Sequence, residues 1–140
     1  GAMGSLQKLY LNGNQIGDAG MAAFAEALKP NPSNPMGALA HLAHLWLHHN
    51  KIGDEGMKAF SSTLCSGAMG SLQQLWLQGN QIGDGGMIAF AEALKPNSNF
   101  PMGSLASLEA LFLSDNQISD DGMKAFSDAL SSGAMGTLTV

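Results

Sequence analysis

The sequence contains no arginine and little charge of either sign. Its basic residues are 6 scattered lysines against 11 acidic residues, which gives a formal net charge of −5. A nucleic-acid groove needs clustered lysine and arginine that displace counterions from the phosphates. The composition therefore argues against nucleic acid as a partner, and it leaves no basic face for a membrane surface.

Cysteine and long apolar runs are also scarce. The single cysteine, Cys65, cannot make an internal disulfide, so nothing requires an oxidising compartment. No stretch approaches the roughly 20 apolar residues that span a bilayer, and the first residues lack a secretory pattern. We expect no membrane partner, and a cytoplasmic location is favoured although the sequence does not define the compartment.

The patterns of common catalytic and cofactor sites are missing. No G-x-x-x-x-G-K-[ST] loop, H-E-x-x-H helix or C-x-x-C pair occurs in the sequence. Cys65 lies at the end of a predicted helix, whereas all four histidines lie on or near the second predicted strand, so a cysteine–histidine pair cannot form. We predict a chain that is not an enzyme and that holds no cofactor and no metal.

What the sequence does contain is one unit repeated four times. Copies of the stretch LQQLWLQGNQIGDGGM begin at Leu6, Leu42, Leu72 and Leu108, with spacings of 36, 30 and 36 residues. A partial fifth copy begins at Leu138, and residues 1–66 align on residues 67–132 without a gap. Repetition at this scale predicts a solenoid.

The repeated residues resemble a leucine-rich repeat. The leading part reads L-x-x-L-x-L-x-x-N-x-I, and the tail I-G-D-x-G-M-x-A-F-x-x-A-L is similar to that of the ribonuclease-inhibitor-like subfamily, whose repeats pair a strand with a full helix. The resemblance implies a single α/β solenoid domain over residues 1–140, with a parallel β-sheet on the concave face and helices on the convex face. The repeats are longer than the roughly 20–29 residues usual for this pattern.

Two polar positions recur in every copy. The asparagines are predicted to be buried amides that bond the backbone of neighbouring turns; they are Asn14, Asn50, Asn80 and Asn116. The aspartates are predicted to cap the N-terminus of their own helix; they are Asp18, Asp54, Asp84 and Asp120. A calcium site along the aspartates is the alternative, but each aspartate is expected to have only its own turn beside it.

The extra residues of the long repeats follow the helix, at 29–42 and 95–108. Proline, asparagine and serine predict surface loops there. Leu39 and Leu105 are expected to hold each loop against the core. We expect that shortening residues 31–35 or 97–101 leaves a folded protein.

An aromatic residue occupies the same outward strand position in each repeat. Strand alternation turns Leu9 and Leu11 inward and the residues between them outward, so the aromatics are predicted to form one stripe on the concave face. The stripe comprises Tyr10, Trp46, Trp76 and Phe112. Exposed tryptophan is enriched in binding hot spots, which indicates a contact surface. The alternative is that the rings stack only to stabilise the sheet.

Polar side chains are predicted to surround this stripe. The candidate binding residues around it are Lys8, His44, His48, Gln74, Gln78 and Asp115. The histidines are expected to be exposed and to face a partner. Zinc between His44 and His48 is disfavoured because four strand residues separate them by roughly 13 Å.

The function predicted from these features is that of a scaffold that binds a protein or peptide on an aromatic-lined concave face, by analogy with the family. The alternative is a structural module that self-assembles through uncapped ends, as a homodimer or a head-to-tail oligomer. Binding of carbohydrate by the stripe is a weaker third interpretation.

Overall fold

A computed structural model describes residues 4–134 as strands alternating with helices. The elements are β1 (Lys8–Tyr10), α1 (Asp18–Leu28), β2 (His44–Trp46), α2 (Asp54–Leu64), β3 (Gln74–Trp76), α3 (Asp84–Leu94), β4 (Ala110–Phe112) and α4 (Asp120–Ser131). The four strands are parallel and lie in the order β1-β2-β3-β4. The predicted α/β solenoid, with the sheet on its concave face and the helices on its convex face, is confirmed. The partial repeat at Leu138 lies outside the described residues.

Leucines from the sheet and an apolar stripe from each helix form the core. Leu45 and Leu75 pair in register on adjacent strands, and both are fully buried. In α2, Met57, Phe60 and Leu64 recur at helical spacing, and all three are buried. Each helix packs on the next along the chain. Apolar burial between successive repeats therefore stabilises the array.

The repeated asparagines connect neighbouring repeats. Asn80 donates from Nδ2 to the carbonyl oxygen of Leu47 at 3.1 Å and of Leu77 at 2.9 Å, and its Oδ1 accepts from the backbone N–H of Ile52 at 3.0 Å. Asn50 and Asn116 make the equivalent bonds. The predicted role as buried amides is confirmed for Asn50 and Asn80, whereas Asn116 makes the same bonds but is half-buried. Asn14 is exposed, and among residues 4–134 it bonds only within its own repeat.

The predicted helix caps are wrong. Gly17, Gly53, Gly83 and Ser119 occupy the N-cap positions, none makes a side-chain cap bond, and each helix begins at the aspartate itself. The aspartate bonds the following repeat instead. Oδ1 of Asp54 accepts from the backbone N–H of Gly83 at 2.7 Å and of Gly86 at 3.0 Å. One carboxylate thus satisfies free donors at the start of the next helix, where the helix dipole favours negative charge.

The same bridge recurs at the other repeat boundaries. Asp18 accepts from Gly53 and Gly56, and Asp84 accepts from Ser119 and Gly122. A Cβ added at Gly56 would lie 2.8 Å from Oδ1 of Asp18. Glycine at this helix position therefore makes room for the carboxylate of the preceding repeat.

The two long loops differ in how they meet the body. Leu39 and Leu105 are buried, as expected. In the second loop Phe100 is half-buried and packs over Gly67, where a Cβ would lie 2.6 Å from Cζ of the phenyl ring. The equivalent residue of the first loop is Asn34. The loops are therefore not interchangeable, because the second contributes an apolar contact between repeats.

Each helix has 11 or 12 residues. Across residues 4–134 there is no helix with the length and apolar character needed to cross a membrane.

Candidate binding surface

The sheet face turned away from the helices forms a wall of side chains in rows. Parallel pairing places Lys8, His44 and Gln74 side by side, and it aligns Tyr10, Trp46, Trp76 and Phe112 two residues further along. His48 and Gln78 follow just after the strands. We call this face the concave wall and its four aromatic residues the aromatic row. Both follow from side-chain alternation on strands about 4.8 Å apart.

The aromatic row is a continuous stack of rings. The ring centroids of Tyr10 and Trp46 lie 3.9 Å apart with the planes inclined by 19°, and those of Trp46 and Trp76 lie 4.0 Å apart with an inclination of 13°. Phe112 meets Trp76 edge to face, with centroids 4.8 Å apart and planes at 77°. The ring faces therefore cover one another, and the row offers mainly ring edges to the outside.

Stacking changes the exposure expected of the row. Tyr10 and Phe112 at its ends are 48% and 42% exposed, whereas the two tryptophans between them are half-buried. Trp46 and Trp76 are therefore less exposed than their outward strand positions predict. Rings on adjacent strands are close to van der Waals contact, so each indole loses its faces to its neighbours.

His48 is buried, contrary to the expectation of an exposed histidine. Only 9% of its surface is accessible, and its ring centroid lies 5.1 Å from that of Trp76 and 5.9 Å from that of Trp46. Burial lowers the pKa of His48, and the nearby positive charge of His49 lowers the pKa further. The imidazole of His48 thus packs against the aromatic row in surroundings that favour its neutral form.

Polar atoms without partners are concentrated on the concave wall. Of the buried side-chain polar atoms in residues 4–134 that lack a hydrogen bond, all but the Ser61 hydroxyl belong to the wall. They are His44 Nδ1, Trp46 Nε1, His48 Nδ1, Trp76 Nε1 and Gln78 Oε1. Buried polar groups are nearly always paired, and leaving one unpaired costs about 1–3 kcal/mol. The wall therefore carries unused hydrogen-bonding capacity of both donor and acceptor type.

The charged candidates lie at opposite ends of the wall. Lys8 is exposed on β1, while Glu109 just before β4 and Asp115 in the turn after β4 are exposed at the other side of the sheet. Gln74 lies half-buried on β3, between these ends. The wall is therefore positive at the first strand and negative at the fourth.

The turn beside the wall requires a left-handed backbone. Gly13 and Gly79 adopt φ of 70° there, and His49 and Asp115 adopt φ of 56° and 55° at the equivalent positions. Residues other than glycine are strained in the left-handed backbone conformation, and they tend to occur there at functional sites. His49 is the member of this pair that the sequence prediction left out of the site. The sequence does indicate an unusual backbone at His49, because glycine occupies the same position in the first and third repeats.

No group of three or more histidine, cysteine, aspartate or glutamate side chains within residues 4–134 is arranged to hold a metal ion. The aspartate carboxylates, considered for calcium, are occupied at the three described repeat boundaries by backbone N–H donors.

Comparisons with known proteins identify the repeat and the fold. A family model described as "Leucine Rich repeat" matches residues 5–25, 38–61, 71–91 and 104–127. Among solved structures, the chain is similar to the actin-binding site 2 of leiomodin-1, with a TM-score of 0.60 and 15% identity over 93% of this chain and 82% of that one. An internalin from Listeria monocytogenes matches with a TM-score of 0.39 and 22% identity, over 94% of this chain and 39% of that one. Among curated proteins no sequence matches the chain.

Proposed function

We propose that this chain, which belongs to the leucine-rich repeat family, is a binding module without catalytic activity whose concave wall binds a protein or an extended peptide. Each of its repeats pairs one short strand with a full helix, and on that ground we also propose the ribonuclease-inhibitor-like subfamily. The similar leiomodin-1 structure is that of an actin-binding site, which is a protein-binding role for that molecule. The fold alone does not fix the partner, so the proposal depends on the wall.

The observation that carries the proposal is the group of unpartnered polar atoms around the aromatic row. A polypeptide backbone presents N–H donors and C=O acceptors alternately along its length. It can accept from the indole Nε1–H of Trp46 and Trp76, and it can donate to Oε1 of Gln78. These atoms are buried in the free protein. The partner therefore reaches them by tilting the indoles.

The stack favours a peptide over a sugar. A sugar ring packs its C–H groups on an exposed aromatic face, whereas the faces of Trp46 and Trp76 are covered by their neighbours. Ring edges carry the positive end of the aromatic quadrupole, and they attract carbonyl oxygens and the faces of other aromatic rings. Both groups are available in a peptide.

The opposite charges at the two ends of the concave wall favour one orientation of a bound peptide. The four strands span three spacings of about 4.8 Å, or about 14 Å. Lys8 is level with Ala110, and Asp115 lies five residues further along the chain, so the line between the two charges runs diagonally across the wall. An acidic residue of the partner would lie near Lys8, and a basic residue near Asp115. We propose a partner segment with an aromatic or apolar centre between these two charges.

Selection from a peptide display library tests the proposal. Peptides enriched on the protein should bind the Trp46→Ala and Trp76→Ala variants more weakly by about 2 kcal/mol each, or roughly 30-fold, as central anchors do. Binding should also shift the indole emission, because the rings tilt.

The matched control is Lys58→Ala on α2, whose side chain is half exposed on the convex face and pairs with Glu55. This variant should bind the selected peptides as the parent does. Peptides that lose affinity for Lys58→Ala and keep it for both tryptophan variants would move the site to the helices and overturn the proposal.

A further inference from the structure

The edge of the concave wall beyond the aromatic row, where the strands lead into the turns, carries a group of polar side chains. Backbone bonds keep neighbouring turns in register there: the N–H of His49 donates to the carbonyl oxygen of Gln78 at 2.9 Å, and that of Gly79 donates to Ser114 at 3.0 Å. Asp115 follows Ser114 directly, so it lies beside Gly79 on the next turn. We call His48, His49, Gln78 and Asp115 the polar edge.

Two members of the polar edge hold buried polar atoms that have no partner within residues 4–134. These atoms are Nδ1 of His48 and Oε1 of Gln78, and the His48 side chain is nine-tenths buried. The amide oxygen is an acceptor, and a neutral imidazole accepts through one of its nitrogens. Burial lowers the pKa of His48 and so favours the neutral ring. Because buried polar atoms are nearly always paired, these acceptors indicate a donor from another molecule.

The His49 imidazole lies across the turn of the third repeat. A Cβ added at Gly79 would overlap Nδ1 of His49 and lie 2.9 Å from its Cε1, so the glycine leaves room for the ring. On the other side of Gly79 lies Asp115, which shares the left-handed backbone of His49. The two strained residues therefore border the same short stretch of the polar edge.

The Asp115 carboxylate gives this stretch a negative charge. It is exposed, and the three ion pairs of residues 4–134 all involve other side chains. A carboxylate beside two unpaired acceptors repels an anion, and an anion has no donor for Oε1 of Gln78. The polar edge therefore suits a cation that donates several hydrogen bonds.

We infer that the polar edge binds an arginine side chain of the peptide that lies on the concave wall. This inference rests on the proposed function, since it names one residue of that peptide. A guanidinium group is planar, carries a permanent charge and has five N–H donors. It donates to Oε1 of Gln78 and to the imidazole of His48, and it forms an ion pair with Asp115.

Arginine fits this arrangement better than lysine. The acceptors lie on neighbouring turns, about 4.8 Å apart, and a flat fork of donors spreads over such a distance. A lysine ammonium is a compact and strongly hydrated point charge, so it loses more hydration against the half-buried Gln78 than a guanidinium does. The polar edge should therefore distinguish between the two cations.

Acidity should weaken the contact, because a protonated His48 donates from both nitrogens and repels the guanidinium. The other charged, titratable or polar side chains around His48 are His49 beside it, Lys51 in the same turn, Asp115 after β4, the neutral Asn12 and Gln78 after β1 and β3, and Lys8 and Glu109 at the opposite edge of the wall. The affinity for an arginine peptide should fall as the pH drops below about 6.5, the ordinary histidine pKa.

A display-selected peptide that depends on Trp46 and Trp76 is the probe. It is synthesised with arginine, lysine or citrulline at its basic position, and calorimetry measures binding to the full chain. Citrulline has nearly the shape of arginine without the charge. The parent should bind the arginine peptide about tenfold more tightly than the citrulline peptide, with the lysine peptide between them.

Two variants of the polar edge should reduce this preference to less than about threefold. Asp115→Asn removes the charge, and asparagine tolerates the left-handed backbone. Gln78→Met removes the acceptor and keeps an unbranched side chain. The matched control is Asp128→Asn on α4, which removes the same charge at an exposed position away from the wall and should keep the tenfold preference. Urea unfolding of each variant separates a lost contact from a lost fold.

The outcomes separate this inference from the proposed function. If no selected peptide depends on Trp46 and Trp76, the proposed function fails and the arginine contact fails with it. Tryptophan-dependent peptides that bind equally well with citrulline would overturn the arginine contact alone. So would an equal loss of preference in Asp128→Asn, or tighter binding of the arginine peptide at pH below about 6.5.

Discussion

The carboxylate of Asp54 lies 2.7 Å from the backbone nitrogen of Gly83, across the boundary between the second and third repeats. The start of α3 is thus completed by a residue that lies 29 positions earlier in the chain. A helix of this array depends on the repeat before it.

We expect Asp54→Ala to lower the free energy of unfolding by about 2 kcal/mol, because two hydrogen bonds to a charged acceptor are lost at a partly buried site. Urea unfolding in dilute solution measures the change. Asp120→Ala removes the same side chain where residues 4–134 offer it no donor, and it should cost less than about 0.5 kcal/mol. Equal losses in the two variants would show that the bridge between repeats contributes nothing.

The second long loop should matter more for stability than the first. Phe100→Asn places the residue of the first loop, Asn34, at the equivalent position of the second. Because the phenyl ring loses its contact over Gly67, we expect a loss of about 1–2 kcal/mol, as for a partly buried aromatic side chain. Thermal or urea unfolding measures it. The exposed neighbour Asn99 is the control, and Asn99→Ala should leave the unfolding transition within about 0.5 kcal/mol.

His48 should make stability depend on pH. Its pKa is lowered in the folded protein by burial and by His49, so the unfolded chain binds more protons than the folded one below the ordinary histidine pKa of about 6.5. Stability should therefore fall as the pH drops from about 7 towards the folded-state pKa and then level off. The His48→Gln variant should lose this slope. A slope that is unchanged in the variant would assign the effect to other groups.

Much of the fold could be predicted from the spacing of the repeated residues. The leucine alternation fixes which side of each strand faces the helices, so the positions of Leu45 and Leu75 and of the aromatic row follow from sequence alone. The role of Asp54 could not be predicted in this way, because its carboxylate accepts hydrogen bonds from the next repeat, and these depend on how the two repeats pack. A sequence signal was present in Gly20, Gly56, Gly86 and Gly122, which recur two residues after each aspartate without a turn that would need them.

The solvent exposure of the side chains on the concave wall was the feature of the site that the sequence predicted least well. The alternation of side chains along a strand predicts that Trp46 and His48 point away from the core. The exposed fraction of each side chain, however, depends on the thickness of the rings relative to the spacing between strands. Rings stacked at 3.9–4.0 Å leave no gap between neighbouring faces. His48 is buried for the same reason, since Trp76 on the adjacent strand lies against it.

The asparagine bridges imply a gradient of local opening along the array. The second and third repeats are each held by amide bonds on two sides, whereas the first and fourth are held on one side within residues 4–134. Fraying should therefore begin at the outer strands and move inward, and backbone amides of β2 and β3 should exchange with solvent water more slowly than those of β1 and β4. The aromatic row crosses this gradient, so its two tryptophans lie on the most slowly exchanging strands, and Tyr10 and Phe112 lie on the strands that open first.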